Sequence, residues 1–194
     1  MGIRGGCPEE RSHELVPLLC GAPATGHGSS SLTFLISIGM RDLMIEIIEY
    51  SEQYAGDFRE LNLEWLNKYG LAESHDLEII NDPKKTILDR GGFIYLAKSG
   101  NDIVGTAGLA KEGEGIFELV KMAVAPAFQG RGISKVLLEK CLEKARERKA
   151  RKIFLYSNSQ LIPAITLYQK YGFIHIDASN SPLVSADVKM ELLL

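Results

Sequence analysis

Two glycines, Gly130 and Gly132, stand where an alternating apolar stretch gives way to a helical one. In Leu119 to Val124, Val120, Met122 and Val124 alternate with Leu119, Lys121 and Ala123, the two-residue period of a strand. From Ile133 onward, Leu137, Leu138, Cys141, Leu142 and Ala145 recur at helical spacing, with Lys and Glu on the opposite face. Glycines at a strand-to-helix junction let backbone N–H groups come close to a ligand, and the helix N-terminus adds partial positive charge. The chemistry this suits is the binding of a phosphate or pyrophosphate. It is not a Walker loop, because no Gly-Lys-Ser/Thr closes it. Nor is it the dinucleotide fingerprint, because Lys135 fills the third glycine position.

Proton-moving side chains are fewer. Glu118 alternates with Val120 and Met122 and is expected to share their face. A carboxylate among apolar neighbours has a raised pKa and can accept a proton near neutral pH; a salt bridge to a lysine is the competing reading. His75, near the start of a short helix, reads as solvated, and His175, on a late strand, as structural. Cys7, Cys20 and Cys141 are too few and too scattered for a disulfide framework or a zinc site. Cys141 falls on the apolar face of its helix and reads as core, and a reducing cytoplasm is the expected location. No metal constellation and no Ser-His-Asp or Cys-His set is apparent.

These residues need a scaffold. The chain of 194 residues is 45% hydrophobic and 24% charged, which suits one globular domain with a substantial core. A net charge of -3 with no basic half argues against nucleic acid as the main partner. The basic run from Lys144 to Lys152 reads as a helix end complementing its dipole. Residues 1–39 are rich in Gly, Pro and Ser without any period and read as a disordered extension; 44–194 is the expected domain. The apolar run Leu32 to Ile38 is far too short to span a bilayer.

Within the domain, Met44 to Tyr50 reads as a strand. Ser51 is expected to cap a helix bearing Phe58, Leu61, Trp65 and Tyr69, with Trp65 in the core and Gly70 ending it. Ser74 to Asn81 reads as a second helix stopped by Asp82-Pro83, and Lys84 to Asp89 as a further turn. Strands follow over Phe93 to Lys98, Ile103 to Lys111 and the stretch ending at Val124. After the long helix come a strand at Lys152 to Ser157, a helix with Pro163 at its first position, and strands at Phe173 to Asp177 and Asp187 to Leu193. That order gives a mixed α/β sheet with helices on it.

Gln129-x-x-Gly132-x-Ser134 resembles the Gln/Arg-x-x-Gly-x-Gly/Ala acetyl-CoA motif of the GNAT superfamily of N-acetyltransferases. Ala164-Ile-x-Leu-Tyr-x-Lys-x-Gly-Phe173 is similar to its second signature, and the resemblance spans about Met44 to Leu194. Ser134 departs from the family's Gly or Ala. The resemblance implies a GNAT fold: a central mixed sheet flanked by helices, in which the strands on either side of the long helix splay to admit the acetyl-CoA arm. It implies arm contacts from the backbone of Met122, Ala123 and Val124, and pyrophosphate contacts from Gln129, Gly130, Arg131, Gly132, Ile133 and Ser134. For Arg131 an exposed, solvated role stands beside phosphate pairing.

Tyr168 matches the family tyrosine that protonates the leaving thiolate. Asn158 matches a position that bonds the arm, or else it caps a turn. The implied reaction is direct attack of a primary amine on acetyl-CoA, without metal and without an acyl-enzyme. Glu118 is the candidate base, unless a water chain serves. The alternative, admitted by Ser134, is an acyl-CoA-binding regulatory module without turnover. The expected partners are acetyl-CoA and an amine acceptor of a small molecule or peptide, with no nucleic acid and no membrane; a homodimer stays open. The acceptor walls are expected from Leu61 to Leu77 and Asp177 to Ala186, where Glu64, Glu73, Asp76 and Glu78 would favour a cationic amine or else simply form a solvated face.

Overall fold

Two-residue patterning yields seven strands in a computed structural model that describes residues 44–179 and 181–194. They are β1 (Ile45–Glu49), β2 (Phe93–Ser99), β3 (Asp102–Gly113), β4 (Ile116–Val124), β5 (Lys152–Ser157), β6 (Ile174–Ile176) and β7 (Val188–Leu193). They form one sheet in the order β1-β2-β3-β4-β5-β7-β6. β1 to β4 pair antiparallel, β4 and β5 pair parallel, and β7 pairs antiparallel with both β5 and β6. A parallel pair needs a crossover, and α3 (Ile133–Glu147) supplies it. The expected extension over residues 1–39 lies outside the described residues.

The helices divide between the two faces. Leu137, Leu138 and Cys141 of α3 are wholly buried against Leu109, Phe117, Ile153 and Leu155. Tyr168, from α4 (Ile162–Lys170), joins the same cluster. On the other face, Phe58 and Leu61 of α1 (Ala55–Tyr69) and Ile79 of α2 (Ser74–Asn81) cover Ile94, Leu96 and Val120. Each such aliphatic or aromatic side chain contributes about 1.5–3 kcal/mol on burial, so the two clusters hold the strands that carry the site.

Most element boundaries match the sequence reading, and α2 matches it residue for residue. Three details differ. Ser51 precedes a 3-10 turn at Glu52–Tyr54, and its hydroxyl makes no capping hydrogen bond; Asp57 in the first turn of α1 offers the dipole a charge instead. Pro163 is the second residue of α4, not the first, where its missing N–H is equally harmless. Lys84–Leu88 is one π-helical turn, closed by the Asp89 N–H donating to Lys84 O at 2.8 Å.

Candidate active site

β4 and β5 pair only from Ile116↔Lys152 to Glu118↔Phe154. Beyond that the strands part, leaving Leu119–Val124 without partners on the β5 side. Three residues past Glu118, at Lys121, the strand is also irregular toward β3. Register with β3 jumps from Gly108↔Val120 to Thr106↔Ala123, so Lys121 and Met122 together face a single residue, a β-bulge. Lys121 takes φ 52, a left-handed conformation that costs a side-chain-bearing residue about 1–3 kcal/mol unless its surroundings hold it. They do: the Thr106 hydroxyl donates to Lys121 O at 2.6 Å, and the buried Asn62 amide donates to Thr106 Oγ1 at 3.3 Å and to Phe58 O at 2.8 Å. The Met122 backbone thus has no strand partner on the β5 side, an edge on which an extended amide-bearing arm can add like a strand.

The bulge corrects one expectation. An extra residue reverses the alternation, so Glu118 does not share a face with Met122 and Val124. Val120 packs with the α1–α2 cluster, whereas Met122 and Val124 pack with the α3–α4 cluster.

At the end of β4, Gln129 Nε2 donates to Val124 O at 3.0 Å and ties the turn to the strand. Gly130 and Gly132 have φ 74 and 78. The first bond into α3 is Val136 N–H to Gly132 O, at 3.2 Å; among the described residues the amides from Gly130 to Lys135 have no backbone acceptor. Such a row of free donors at a helix N-terminus fits a pyrophosphate. Ile133 contributes backbone only, since its side chain is buried in the core. Arg131 does not line the cavity: its guanidinium stacks over Phe128 at 5.0 Å from the ring centroid. Gly132→Ala meets no neighbouring atom but strains the left-handed backbone, at about 1–2 kcal/mol. Titration calorimetry is expected to find weaker acetyl-CoA binding in this variant, with the proton-donor chemistry intact.

A cavity of about 500 Å³ runs from this turn through the gap to α1 and α2. Met122, Ala123, Val124, Gln129, Gly130, Gly132, Ile133, Ser134, Asn158, Tyr168 and Glu118 all line it. The Tyr168 ring is buried against Phe173, and its hydroxyl faces Met122 Sδ at 3.6 Å. A thioether is a weak acceptor, so the phenol proton is held loosely. Burial pushes the phenol's pKa well up, which keeps it protonated. Burial also pushes the Glu118 carboxyl up to about 7, with Glu112 adding to the rise and Lys121 and Lys189 opposing it. His175 contacts Gln169 outside the cavity, at 3.3 Å. Among the described residues no group of His, Cys, Asp and Glu is placed to hold a metal ion.

The model of the acetyltransferase (GNAT) family matches residues 48–173, well over half the chain. The chain belongs to that family. It is 34% identical over 104 residues to the uncharacterized N-acetyltransferase YvbK of Bacillus subtilis, a match covering 52% of this chain and 67% of that protein. It is 35% identical over 95 residues to N-acetyltransferase 8B of Rattus norvegicus, covering 46% of this chain and only 43% of that one. A crystal structure of a GNAT acetyltransferase from Staphylococcus aureus Mu50 superposes with TM-score 0.70 at 26% identity, over 77% of this chain and 99% of that one. The PaiA N-acetyltransferase of Thermoplasma acidophilum, in complex with coenzyme A, superposes with TM-score 0.61 at 20% identity, over 77% and 99%, a likeness of fold. This GNAT protein is an acyl-CoA-dependent N-acetyltransferase.

Several side chains of the cavity take roles that the sequence reading does not assign to them. Asp76 is not on a solvated face; it is buried, its Oδ2 accepts from the Glu73 N–H at 3.3 Å, and its Oδ1 forms an ion pair with the buried Lys121. Lys121 reaches it because the bulge turns that side chain toward α2. Trp65 is half-buried on the cavity wall beside Tyr69, at 5.1 Å between ring centroids, rather than in the core. His75 also reaches the cavity. Asn158 donates to Ser185 O at 2.6 Å and accepts from the Gln160 N–H at 3.0 Å, so its side chain serves the local loops. Of the four carboxylates expected at the acceptor wall, only Asp76 lines the cavity, and Lys121 neutralises it. The argument for a strongly cationic acceptor therefore loses its basis.

Among the described residues no helix is long and apolar enough to cross a membrane.

Proposed function

We propose that this protein transfers the acetyl group of acetyl-CoA to the primary amine of a small molecule or peptide by direct attack, in the cytoplasm. One arrangement carries this reading: a row of free amides at Gly130–Lys135 opens onto a splayed strand gap, with a buried phenol at its inner end. The amides of Gly130 to Lys135 would hold the pyrophosphate, and the unpaired backbone around Met122 would hold the pantetheine arm. Bound acetyl-CoA supplies an acyl carbon that an amine can attack and a thiolate that leaves.

The protein's own groups then handle protons. The Tyr168 hydroxyl faces Met122 Sδ in the wall of the cavity, from which it would give its proton to the departing sulfur. Its raised pKa makes it a weaker acid, but the same desolvation raises the proton affinity of a buried thiolate. Glu118 takes the proton of the incoming ammonium, directly or through water. With its pKa near 7 it is half ionised at neutral pH, which is where a general base works best.

The sign of the pH dependence follows. Ionised Glu118 is the active form, so kcat/KM rises as pH rises through about 7. A raised carboxyl pKa acts the other way on stability: its contribution is present below the unfolded value and is lost as pH climbs through about 7. Glu118→Gln is therefore expected to flatten the pH–rate profile and lower kcat/KM about 10²-fold, while the melting temperature above pH 7 holds or rises. Rate profiles and thermal melts of both proteins check it. An unchanged acidic limb assigns the base elsewhere.

Calorimetric titration with acetyl-CoA, followed by thiol release over a panel of amines, tests the whole reading. Binding with turnover supports it. Binding with no CoA release over any amine favours the regulatory module, and no binding at all contradicts both.

A further inference from the structure

Between β6 and β7 the chain passes over the acceptor end of the cavity, and its residues Leu183 to Asp187 are tied down on both sides. The Ser185 and Val184 N–H groups donate to the two oxygens of Glu73, at 2.7 and 3.1 Å, just ahead of α2. From the other wall Asn158 Nδ2 donates to Ser185 O at 2.6 Å. One residue on, the Ser159 N–H and hydroxyl donate to the Asp187 carboxylate at 2.7 and 2.6 Å. The Ser185 residue is thus gripped at its N–H from the N-cap of α2 and at its C=O from the residue that follows β5. These bonds to carboxylates are of the stronger, charge-assisted kind, and Ser185, through its side chain and then its backbone N–H, holds the Glu73 carboxyl below its usual pKa. Val184 points fully outward, while Leu183, Ser185 and Ala186 line the cavity.

Other side chains line the space beneath. Gln160 Nε2 donates to Tyr69 O at 3.5 Å, and Leu66, Leu71, Ile80 and Leu161 cluster behind it. Trp65 and Tyr69 give a half-buried aromatic wall. The buried Lys121–Asp76 pair is self-neutralising and leaves no net charge from that pair on the acceptor. A cavity of about 500 Å³ must hold both the thioester arm and the acceptor. That is the scale of one small-molecule site, not of a groove for a polypeptide.

We propose that the acceptor is a compact primary amine on an apolar or aromatic body, enclosed under the Leu183–Asp187 strap, and that Glu73 is the specificity-determining residue that keeps peptide amines out. The proposal rests on the acetyl-transfer reading and narrows it. Glu73 touches no reacting atom; it acts by fixing the strap.

The test compares kcat/KM for 2-phenylethylamine with that for an unstructured lysine-containing decapeptide, in the full chain. Wild type is expected to favour the small amine by about 100-fold or more, the range a shaped site can enforce. Glu73→Ala is expected to narrow that ratio about 10-fold, with acetyl-CoA affinity unchanged, and Glu73→Gln, which keeps one acceptor oxygen, to restore part of it. Should Glu73→Ala fail to fold, Asp187→Ala loosens the same strap from its other anchor and is read the same way. Equal use of the decapeptide by wild type overturns the proposal, as does an unchanged ratio in a folded Glu73→Ala. If acetyl-CoA binds and no amine is acetylated, the transfer reading itself falls and the size limit with it.

Discussion

Tyr168→Phe is expected to cut turnover by about 10²-fold under saturating substrates while acetyl-CoA affinity stays as it is. The ring is buried against Phe173 within the α3–α4 cluster, and phenylalanine keeps that packing. What disappears is a hydroxyl whose partner is the thioether of Met122, at 3.6 Å. So weak a hydrogen bond stabilises the fold by at most about 1 kcal/mol, and melting should barely change. The proposed pyrophosphate seat at Gly130–Lys135 lies on a different element, so binding is expected to hold. A stopped-flow measurement of thiol release reads the chemical step. Wild-type speed, with chemistry rate-limiting, would make the tyrosine purely structural.

Lys121→Met should produce the largest loss of stability. Lys121 and Asp76 are both buried and paired, and removing one partner strands the other charge, at a cost of about 3–5 kcal/mol. For a domain of this size that lowers the melting temperature by on the order of 10 °C. Adding Asp76→Asn removes the stranded charge and is expected to recover part of the loss, so the double variant should be more stable than the sum of the singles. Lys121 also opposes the rise in the Glu118 pKa, so the acidic limb of the rate profile should move to higher pH in Lys121→Met. Denaturant titrations and pH–rate profiles check the two halves separately.

Local signals made the fold readable. The two-residue period marks β1 to β5 and β7, the apolar stripe marks α3, and Asp82-Pro83 stops α2. The glycine turn was legible because a strand, two close glycines and an amphipathic helix are contiguous. The splayed gap entered only through the likeness of Gln129 to Ser134 to a known motif; no local pattern says that two parallel strands will part after Glu118.

What stayed hidden depends on distant contacts. Val120, Met122 and Val124 alternate as if the strand were regular, yet a bulge at Lys121 interrupts them. It is pinned by Thr106 and Asn62, from another strand and another helix, and lysine carries no intrinsic preference for positive φ. Asp76 looks like an ordinary acidic residue in a first helical turn, and only the fold brings it to Lys121, 45 residues away. Glu73 reads as an acceptor-wall carboxylate and Asn158 as an arm contact or a turn cap, and only the fold places the strap between β6 and β7 between them.

The central claim is direct transfer from acetyl-CoA to an amine. Mass spectrometry of a single-turnover reaction with 2-phenylethylamine tests it most directly, by counting CoA, acetylated amine and any acetylated protein together. The expected result is one acetylated amine for each CoA released, with the protein mass unchanged throughout. CoA release without acetylated amine, or an acetyl group carried on the protein before the amine is added, would contradict it.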